Sequence, residues 1–517
     1  MSAEKSQLKI GIVLNYISLI LGNLIPIFYT PIMLSLLGQS EYGLYKLSSS
    51  TTSYLSLLSL GISSAVTRYL IKYRVQEDKE GEEKILGLFV IIFRTIAIFT
   101  LIVGTVLTLK LDVFYGNSLS TNELSRMQIL VFIMVCNMAV SFIASPYASA
   151  VGAHEKFVFQ QCMNILLTCI APLLNLIALW AGFASVGMAA ASLATNIVVQ
   201  FSYTWYVNRK IKIRAIYKKV PHDLLKEILV FSFWIFVSNV VAQLYNTTDT
   251  VMIGAIPALA TTGVAIYNVG VIFNSIMGSL TTGVSSLLAP QTNRMVFAGA
   301  DNDELTDLAA KVGRVQAYIV ALVVSGFIAF GQPFIYYYAG KGYEESYWVA
   351  VLIMIPNVIP LLQSVCLNII VAQNKHRFRS ILYLLMAIVN VVGTWILMQY
   401  LGVVGAALMT GIVLLIGQGG IINWYYWKKI HLNIACFWGR VGKVFVLPGI
   451  MCIAVLISYN FIDFYSITNL ILGILFYFLL YILLSYVFVM NNYEKLLIKG
   501  VMNKITKTLF KEKRNDP

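Results

Sequence analysis

Lys46, Arg94 and Asp249 are charged side chains that lie within long apolar stretches of this 517-residue chain. A charge inside a bilayer costs about 2.5–3.5 kcal/mol on insertion scales, so such residues are candidates for function. A buried cation can hold a phosphate or a sugar acid, whereas a buried carboxylate can bind a coupled cation or act as a gate. A structural contact between helices is the alternative for each.

The positions of these three residues indicate which roles each of them can have. Arg94, in LFVIIFRTIAIF, lies about 13 Å into its stretch at 1.5 Å per helical residue, near the bilayer midplane. It is a cavity cation or one half of a structural pair. Asp249, in YNTTDTVMIG, is an ion-coupling or gating residue or an interfacial cap. Because Lys46 has a similar predicted depth, we hypothesise a Lys46–Asp249 pair that closes the outer mouth.

Further polar residues follow the same stretches. Arg68 and Arg294 lie near the inner ends of two of them, where they can meet a diphosphate, although anchoring to lipid is the alternative. Asn246, Asn268 and Asn274 carry amides of the kind that bind sugars. Amides also join transmembrane helices, so both interpretations stay open.

The composition predicts an all-α, polytopic membrane protein. Apolar residues make up 59% of the chain and charged residues 12%, against about 25% charged in soluble domains, and the mean hydropathy is +0.79. Runs of about 20 apolar residues can each cross a bilayer as a helix. Fourteen spans are predicted, at 8–37, 43–71, 85–109, 125–150, 157–181, 186–208, 225–252, 263–289, 309–332, 346–372, 377–399, 403–427, 441–463 and 465–489. Pro26 and Pro31 are expected to bend or break the first.

The positive charge of the chain, +14, follows the predicted topology. With the amino terminus inside, 32 of the 37 Lys and Arg residues fall on the cytoplasmic side, which places both termini in the cytoplasm. The excess charge then attracts anionic membrane lipids, and we expect no nucleic-acid partner. The tail, 490–517, is predicted to form a basic interfacial helix.

No pattern of residues indicates catalysis, a cofactor or a metal centre. The six cysteines have no CxxC spacing, the four histidines have no HExxH arrangement, and no GxxxxGK[ST] phosphate loop occurs. We therefore expect a protein that is not an enzyme and that holds no cofactor and no metal.

Three pairs of similar segments suggest two homologous halves. GISS at 61–64 matches GVSS at 283–286, VGMAAASLATNIVVQ at 186–200 matches VGAALMTGIVLLIGQ at 404–418, and HEKF matches KHRF at a similar offset. Six spans per half make the repeat parallel, as in two-lobed transporters. The predicted domains are an N-lobe (1–208), a basic linker (209–226), a C-lobe (227–430), two extra spans (431–489) and a basic cytoplasmic tail (490–517).

The stretch PIMLSLLGQSEYGLYKLSSSTTSYLSLLSLGISSAVTRYLIKY at 31–73 resembles the opening of Wzx-type polysaccharide flippases. FSFWIFVSNVVAQLYNTTDTVMIG at 231–254 is similar to their seventh helix, including its aspartate. These proteins belong to the multidrug/oligosaccharidyl-lipid/polysaccharide (MOP) exporter superfamily, which also contains MATE drug antiporters and peptidoglycan-precursor flippases.

The resemblance implies a V-shaped, MATE-like pair of lobes in the bacterial cytoplasmic membrane, with helices 1, 2, 7 and 8 around a cavity. The expected cargo is an oligosaccharide on undecaprenyl diphosphate, moved by alternating access coupled to H⁺ or Na⁺. Lys46, Arg94 and Asp249 are the cavity candidates, and a glycan polymerase or glycosyltransferase is a candidate partner. The alternatives are a MATE-like drug antiporter and a membrane-embedded glycan polymerase or ligase; the short outer loops disfavour the last.

Overall fold

The computed structural model describes residues 2–217, 222–373, 375, 377–496 and 499. Every regular element within these residues is helical. The helices are α1 (Ser2–Leu37), α2 (Gln39–Ser53), α3 (Ile62–Val75), α4 (Lys79–Leu109), α5 (Leu111–Tyr115), α6 (Thr121–Ala153), α7 (Phe157–Trp180), α8 (Ala184–Tyr206), α9 (His222–Gly254), α10 (Ala260–Phe297), α11 (Asn302–Ala339), α12 (Glu345–Leu362), α13 (Ser364–Ala372), α14 (Arg377–Leu414), α15 (Asn423–Lys428), α16 (Ile434–Val441), α17 (Lys443–Ser458) and α18 (Ile467–Leu484). The predicted tail helix lies mostly outside the described residues.

Thirteen helical stretches of the described chain are long and apolar enough to cross a membrane. One of them, Arg377–Lys428, has 52 residues and covers both predicted spans 377–399 and 403–427. Its helix is interrupted at Gly402, which has φ 57° and ψ −139°. The predicted all-helical, multi-pass class is confirmed, whereas the predicted count of fourteen spans is not.

The first predicted span is one helix. Pro26 and Pro31 both lie inside α1, which continues from Ser2 to Leu37. Each proline removes one backbone hydrogen bond, yet the helix does not break at either position. Transmembrane helices tolerate such prolines because neighbouring helices and local adjustments satisfy the freed carbonyl groups.

The second predicted span, in contrast, is interrupted at its centre. Helix α2 is followed by a 3₁₀ turn at Tyr54–Ser59, and Leu60 and Gly61 then adopt left-handed conformations with φ of 49° and 68°. Gly61 suits this position because it has no Cβ to strain, and an added Cβ would press against Ile235. The GISS segment therefore begins at a helix break, whereas GVSS lies inside the continuous helix α10.

The chain forms two compact units. One unit contains Met1–Val269 and Ser380–Thr410, and the other contains Gly270–Arg379 and Gly411–Pro517. In the first unit, α3, α4, α6 and α8 enclose a core with fully buried Tyr69, Phe89 and Phe93. In the second, α11, α17 and α18 meet around the perpendicular rings of Phe330 and Tyr477. The division into an N-lobe and a C-lobe stays a prediction.

A buried ion pair fixes the chain that follows α18 to α11. Arg314 donates from Nε and Nη2 to the two carboxylate oxygens of Glu494 at 2.6 and 3.0 Å. Tyr318 and the backbone N–H of Asn491 also donate to this carboxylate. Burial by itself raises the pKa of Glu494, but the hydrogen bonds from Arg314 and Asn491 outweigh it, so the pKa lies below its ordinary value.

The lowered pKa of Glu494 predicts a pH-dependent contribution to stability. The stabilisation is complete above the pKa of an unfolded glutamate, about 4.3, and is lost as the pH falls through the lower folded pKa. In detergent, the free energy of unfolding of the unaltered protein should exceed that of Glu494→Gln. The difference should be largest near neutral pH. That margin should shrink below pH of about 4.

As a control for the loss of one carboxylate, Glu304→Gln removes an exposed side chain in the first turn of α11. A margin for Glu494→Gln that stays constant from neutral to acid pH would contradict the assignment.

Candidate functional site

Asp249 is the centre of a buried polar cluster in the first unit. Its side chain on α9 is 3% exposed, and three neighbours donate hydrogen bonds to its carboxylate. Tyr267 on α10 and Thr410 on α14 bind Oδ2 at 2.6 and 2.8 Å, and the Asn390 amide on α14 binds Oδ1 at 3.2 Å. The cluster therefore joins three helices around one carboxylate.

The chemistry of this cluster suits a proton or a singly charged cation. Thr410 also donates to the Asn390 carbonyl oxygen at 3.2 Å, and the buried Thr394 hydroxyl lies beside the carboxylate without a well-formed hydrogen bond. Within the described chain, no group of three or more His, Cys, Asp or Glu side chains could hold a metal ion. One negative charge surrounded by neutral oxygens balances one positive charge, whereas calcium takes about six to eight oxygen ligands, commonly several carboxylates.

Lys46 is half-buried on α2 and is not paired with an acid. Its ammonium group lies 5.6 Å from the centre of the Tyr42 ring, and no salt bridge to Lys46 occurs among the described residues. The hypothesised Lys46–Asp249 pair is therefore not formed. Tyr267, Asn390 and Thr410 supply the hydrogen bonds to Asp249 instead.

The break between α2 and α3 is hydrogen-bonded to the turn of α9 that precedes Asp249. The Tyr54 and Thr248 hydroxyls lie 2.7 Å apart, and Gln243 donates to the Ser53 hydroxyl. Hydroxyl and amide groups inside an apolar bundle hold helices together in this way. A movement of the Asp249 turn would consequently act directly on the break in the second span.

A second polar cluster joins α2, α6 and α10, and we call it the seal: Ser40, Glu123 and Thr261. Ser40 and Thr261 donate to Glu123 Oε1 at 2.8 and 3.1 Å, and their hydroxyls lie 3.0 Å apart. Gly43 packs so closely here that an added Cβ would overlap the carbonyl oxygen of Thr261. The seal therefore depends on direct contact between the backbones of α2 and α10.

Arg68 and Arg94, two of the predicted site residues, are exposed, and each lies over an aromatic ring. The Arg94 guanidinium on α4 lies 5.8 Å from the centre of the Tyr217 ring, and that of Arg68 lies 4.6 Å from the Phe231 ring. Tyr217 belongs to the segment after α8, whose Ile216 N–H donates to the Glu83 carbonyl oxygen. Arg94 thus reaches this segment. Its predicted role as a cavity cation stays a prediction.

The predicted asparagines fall into two groups. Asn246 is exposed on α9, and its amide donates within its own helix to Ala242. Asn268 donates to Thr250, the residue after Asp249, so it lies next to the cluster. Asn274, bonded to Asn357, and exposed Arg294 belong to the second unit.

Sequence reasoning did not identify the partners of Asp249 or the residues of the seal. Tyr267, Asn390 and Thr410 were available as polar residues in otherwise apolar spans. For the seal, Ser120 and Glu123 form a capping box at the start of α6, a pattern that is visible in the sequence. That pattern predicts a helix start, but not that Glu123 also binds α2 and α10.

The profile of one family, described as "Polysaccharide biosynthesis protein", matches residues 8–290, which is more than half of the chain. The chain belongs to the polysaccharide biosynthesis protein family. This membership confirms the resemblance drawn from 31–73 and 231–254. No curated protein sequence matches the chain.

Several solved transporter structures resemble this polysaccharide biosynthesis protein. A structure of the lipid II flippase MurJ in an inward closed conformation aligns over 92% of this chain and 98% of its own, with a TM-score of 0.73 and 15% identity. An inward-facing MATE transporter of the MOP superfamily aligns over 83% and 98%, with a TM-score of 0.65 and 15% identity. The structure of the Vibrio cholerae MATE transporter VcmN aligns over 87% of this chain and 99% of its own, with a TM-score of 0.53 and 13% identity. The chain thus shares the fold of these MurJ and MATE structures.

Gly43→Ala should open the seal. Because the added methyl group meets a backbone carbonyl rather than a movable side chain, α2 and α10 must separate. We expect faster labelling of Ser48→Cys by a membrane-impermeant maleimide, in protein whose six native cysteines are replaced. Ser48 is fully buried on α2 and bonds the Leu44 carbonyl oxygen of its own helix.

Gly22→Ala is the matched control, because no atom lies within 4 Å of its added Cβ. Equal labelling rates and equal thermal stability for Gly43→Ala and the unaltered protein would show that the close contact at Thr261 is not required.

Proposed function

We propose that this protein is a flippase for an oligosaccharide linked to undecaprenyl diphosphate, which it moves from the inner to the outer leaflet of the bacterial cytoplasmic membrane. The observation that carries the proposal is the presence of two complementary charges in one unit. Lys46 is a half-buried cation without an acidic partner among the described residues, and Asp249 is a carboxylate enclosed by neutral oxygen groups. The first suits an anionic cargo, and the second suits a coupled cation.

The cargo side of the proposal follows from the cost of burying charge. An unpaired ammonium group in an apolar bundle gains free energy when an anion reaches it, and a diphosphate supplies more than one negative charge. Exposed Arg68 and Arg94 add two guanidinium groups, which can bind phosphate through two parallel hydrogen bonds. Exposed Asn246 offers a polar surface to the sugars, while the prenyl chain stays in the lipid.

The coupling side rests on the Asp249 cluster. A Na⁺ ion or a proton at this carboxylate would replace hydrogen bonds from Tyr267, Thr410 and Asn390, and so alter how α9, α10 and α14 pack. The turn of α9 next to Asp249 also holds the break between α2 and α3 through Thr248 and Tyr54. Binding of the cation can therefore shift the equilibrium between conformations that differ at this break.

The seal supplies the matching gate. The positive-inside distribution assigns its end of the bundle to the outer side and both termini to the cytoplasm. The contacts among Ser40, Glu123 and Thr261 support a closed outer end, with entry of the cargo from the inner leaflet. Glycosyltransferases or a polymerase that act on the same lipid carrier are the proposed partners.

A drug antiporter is the second candidate, favoured by the similarity to MATE structures. The two functions differ in what a cell loses with the gene: surface glycan for a flippase, resistance to cationic drugs for an antiporter. Half-buried Lys46, which has no acidic partner among the described residues, repels a cationic drug and attracts a diphosphate, so the flippase is preferred.

Flipping of a fluorescent polyprenyl-diphosphate oligosaccharide in proteoliposomes tests the cargo assignment. Lys46→Ala and Arg94→Ala should each slow flipping by about tenfold, equivalent to about 1.4 kcal/mol, and Lys46→Arg should retain most of the rate. Lys341→Ala, at an exposed loop position, should flip at the unaltered rate. If both alanine variants match the unaltered protein, the two cations have no part in transport.

Imposed gradients in the same proteoliposomes test the coupling assignment. A Na⁺ gradient in one arm and a proton gradient in the other should identify the coupled ion, which speeds flipping by the unaltered protein. Asp249→Asn removes the charge and should abolish the response, whereas Asp112→Asn, exposed on α5, should retain it. A response of Asp249→Asn equal to that of the unaltered protein would refute coupling through this cluster.

A further inference from the structure

The second unit contains a cavity of about 390 Å³ at the end of α11 opposite Arg314. It lies where α11 ends and α12 begins, and Tyr465 from the loop between α17 and α18 closes one side. Ligand sites in proteins span about 300–1,000 Å³, so the cavity can hold a small organic group. It is separate from the Asp249 cluster and from the seal, both of which belong to the first unit.

Aromatic rings form the walls of this cavity. Tyr336, Trp348 and Tyr465 line it, and their side chains are 38%, 51% and 48% exposed. The rings of Tyr336 and Tyr465 lie 6.0 Å apart at 77°, so they present two nearly perpendicular surfaces. Such faces carry partial negative charge and attract the weakly positive C–H groups of a flat, polar ligand.

Hydrogen-bonding groups share the cavity with the rings. Gln332, Glu344 and Glu345 line it, and none of its described lining residues is basic. Carboxylates accept hydrogen bonds, whereas the amide both donates and accepts. The lining thus combines flat apolar faces with many acceptors, and its two carboxylates disfavour an anion.

Several contacts hold the walls in place without a ligand. The Tyr337 hydroxyl donates to the Tyr465 carbonyl oxygen, which fixes the α17–α18 loop to α11. The Gly342 N–H donates to Glu344 Oε1 at 3.1 Å and orients that carboxylate. Gly340 and Gly342 both have φ of 90°, so the loop makes a turn here that other residues rarely adopt. Preorganised groups of this kind lower the cost of binding.

We infer that this cavity is a second glycan-binding site, specific for neutral or amino sugars, which receives the oligosaccharide at the outer face. A sugar ring presents C–H groups on its faces and hydroxyl groups around its edge, so one face can stack on an aromatic wall while the hydroxyl groups reach the acceptors beside it. Uronic acids and phosphorylated sugars would meet Glu344 and Glu345 and be rejected. The direction of transfer rests on the proposed function, whereas the sugar specificity rests on the cavity alone.

An aromatic belt at the membrane surface is the alternative explanation for these rings. Tyrosine and tryptophan are enriched at both membrane interfaces, where they contact lipid headgroups. A belt, however, does not require two carboxylates and an amide in one cavity with the rings. The experiment below separates the two explanations, because a belt has no sugar specificity.

Saturation-transfer NMR on the full-length protein in nanodiscs tests the inference. The probes are a neutral disaccharide (cellobiose), an amino sugar (glucosamine) and an acidic disaccharide (digalacturonate). We expect the first two to bind and the third not to bind. Trp348→Ala and Glu345→Gln should each weaken binding of the neutral sugar by about tenfold. Trp427→Ala is the control, because Trp427 is 58% exposed and does not line the cavity.

The sugar-binding experiment can fail independently of the flipping assay, so the two proposals are tested separately. Three results would each overturn the inference: absence of sugar binding, binding by Trp348→Ala and Glu345→Gln as tight as by the unaltered protein, or a preference for digalacturonate. If the proteoliposomes flip the lipid-linked oligosaccharide but no sugar binds here, the proposed function stands without this site. If sugars bind here but no flipping occurs, the proposed function fails and the glycan site remains.

Discussion

A carboxylate enclosed by an apolar helix bundle must be neutralised or hydrogen-bonded, and Asp249 illustrates how this constraint organises the first unit. Desolvation of an isolated charge costs several kcal/mol, so its oxygens require donors. Tyr267, Asn390 and Thr410 supply them from α10 and α14. Through Asn390 and Thr410, Ser380–Thr410 contacts Asp249 within the same compact unit, although it lies far along the chain.

The hydrogen bonds around Asp249 continue into the second span. Thr248, the residue before Asp249, bonds Tyr54 at the start of the 3₁₀ turn, and Gly61 ends the interruption in a left-handed conformation. An interrupted helix leaves backbone groups that its own turns cannot satisfy, so it is tolerated only where protein or a wet cavity surrounds it. Hydrogen bonds therefore join the turn of α9 at Asp249 to the break in the second span, and Lys46 lies on α2 ahead of that break.

The second unit uses polar groups differently. Arg314 and Glu494 form a paired, fully hydrogen-bonded contact that fixes the chain after α18. At the other end of α11, aromatic and acidic side chains surround a cavity with walls held by Tyr337 and Gly342. A satisfied pair is stable but chemically inert, whereas a cavity of preorganised acceptors is available to a ligand.

The sequence by itself determined the helical, multi-pass class, because long apolar runs have one stable form in lipid. It also made Lys46, Arg94 and Asp249 candidates for function, because a charge in an apolar run is costly wherever the helix lies. It did not determine their partners. Tyr267, Asn390 and Thr410 lie 18, 141 and 161 residues from Asp249, and their contact depends on how each helix is rotated and packed.

The hypothesised Lys46–Asp249 pair shows the same limit, since similar depth says nothing about the direction in which each side chain points. Packing of the helices directs Asp249 toward α10 and α14, whereas Lys46 lies beside Tyr42 and has no acidic partner among the described residues. The apolar pattern fixes which segments enter the membrane, and packing between those segments fixes which polar groups meet.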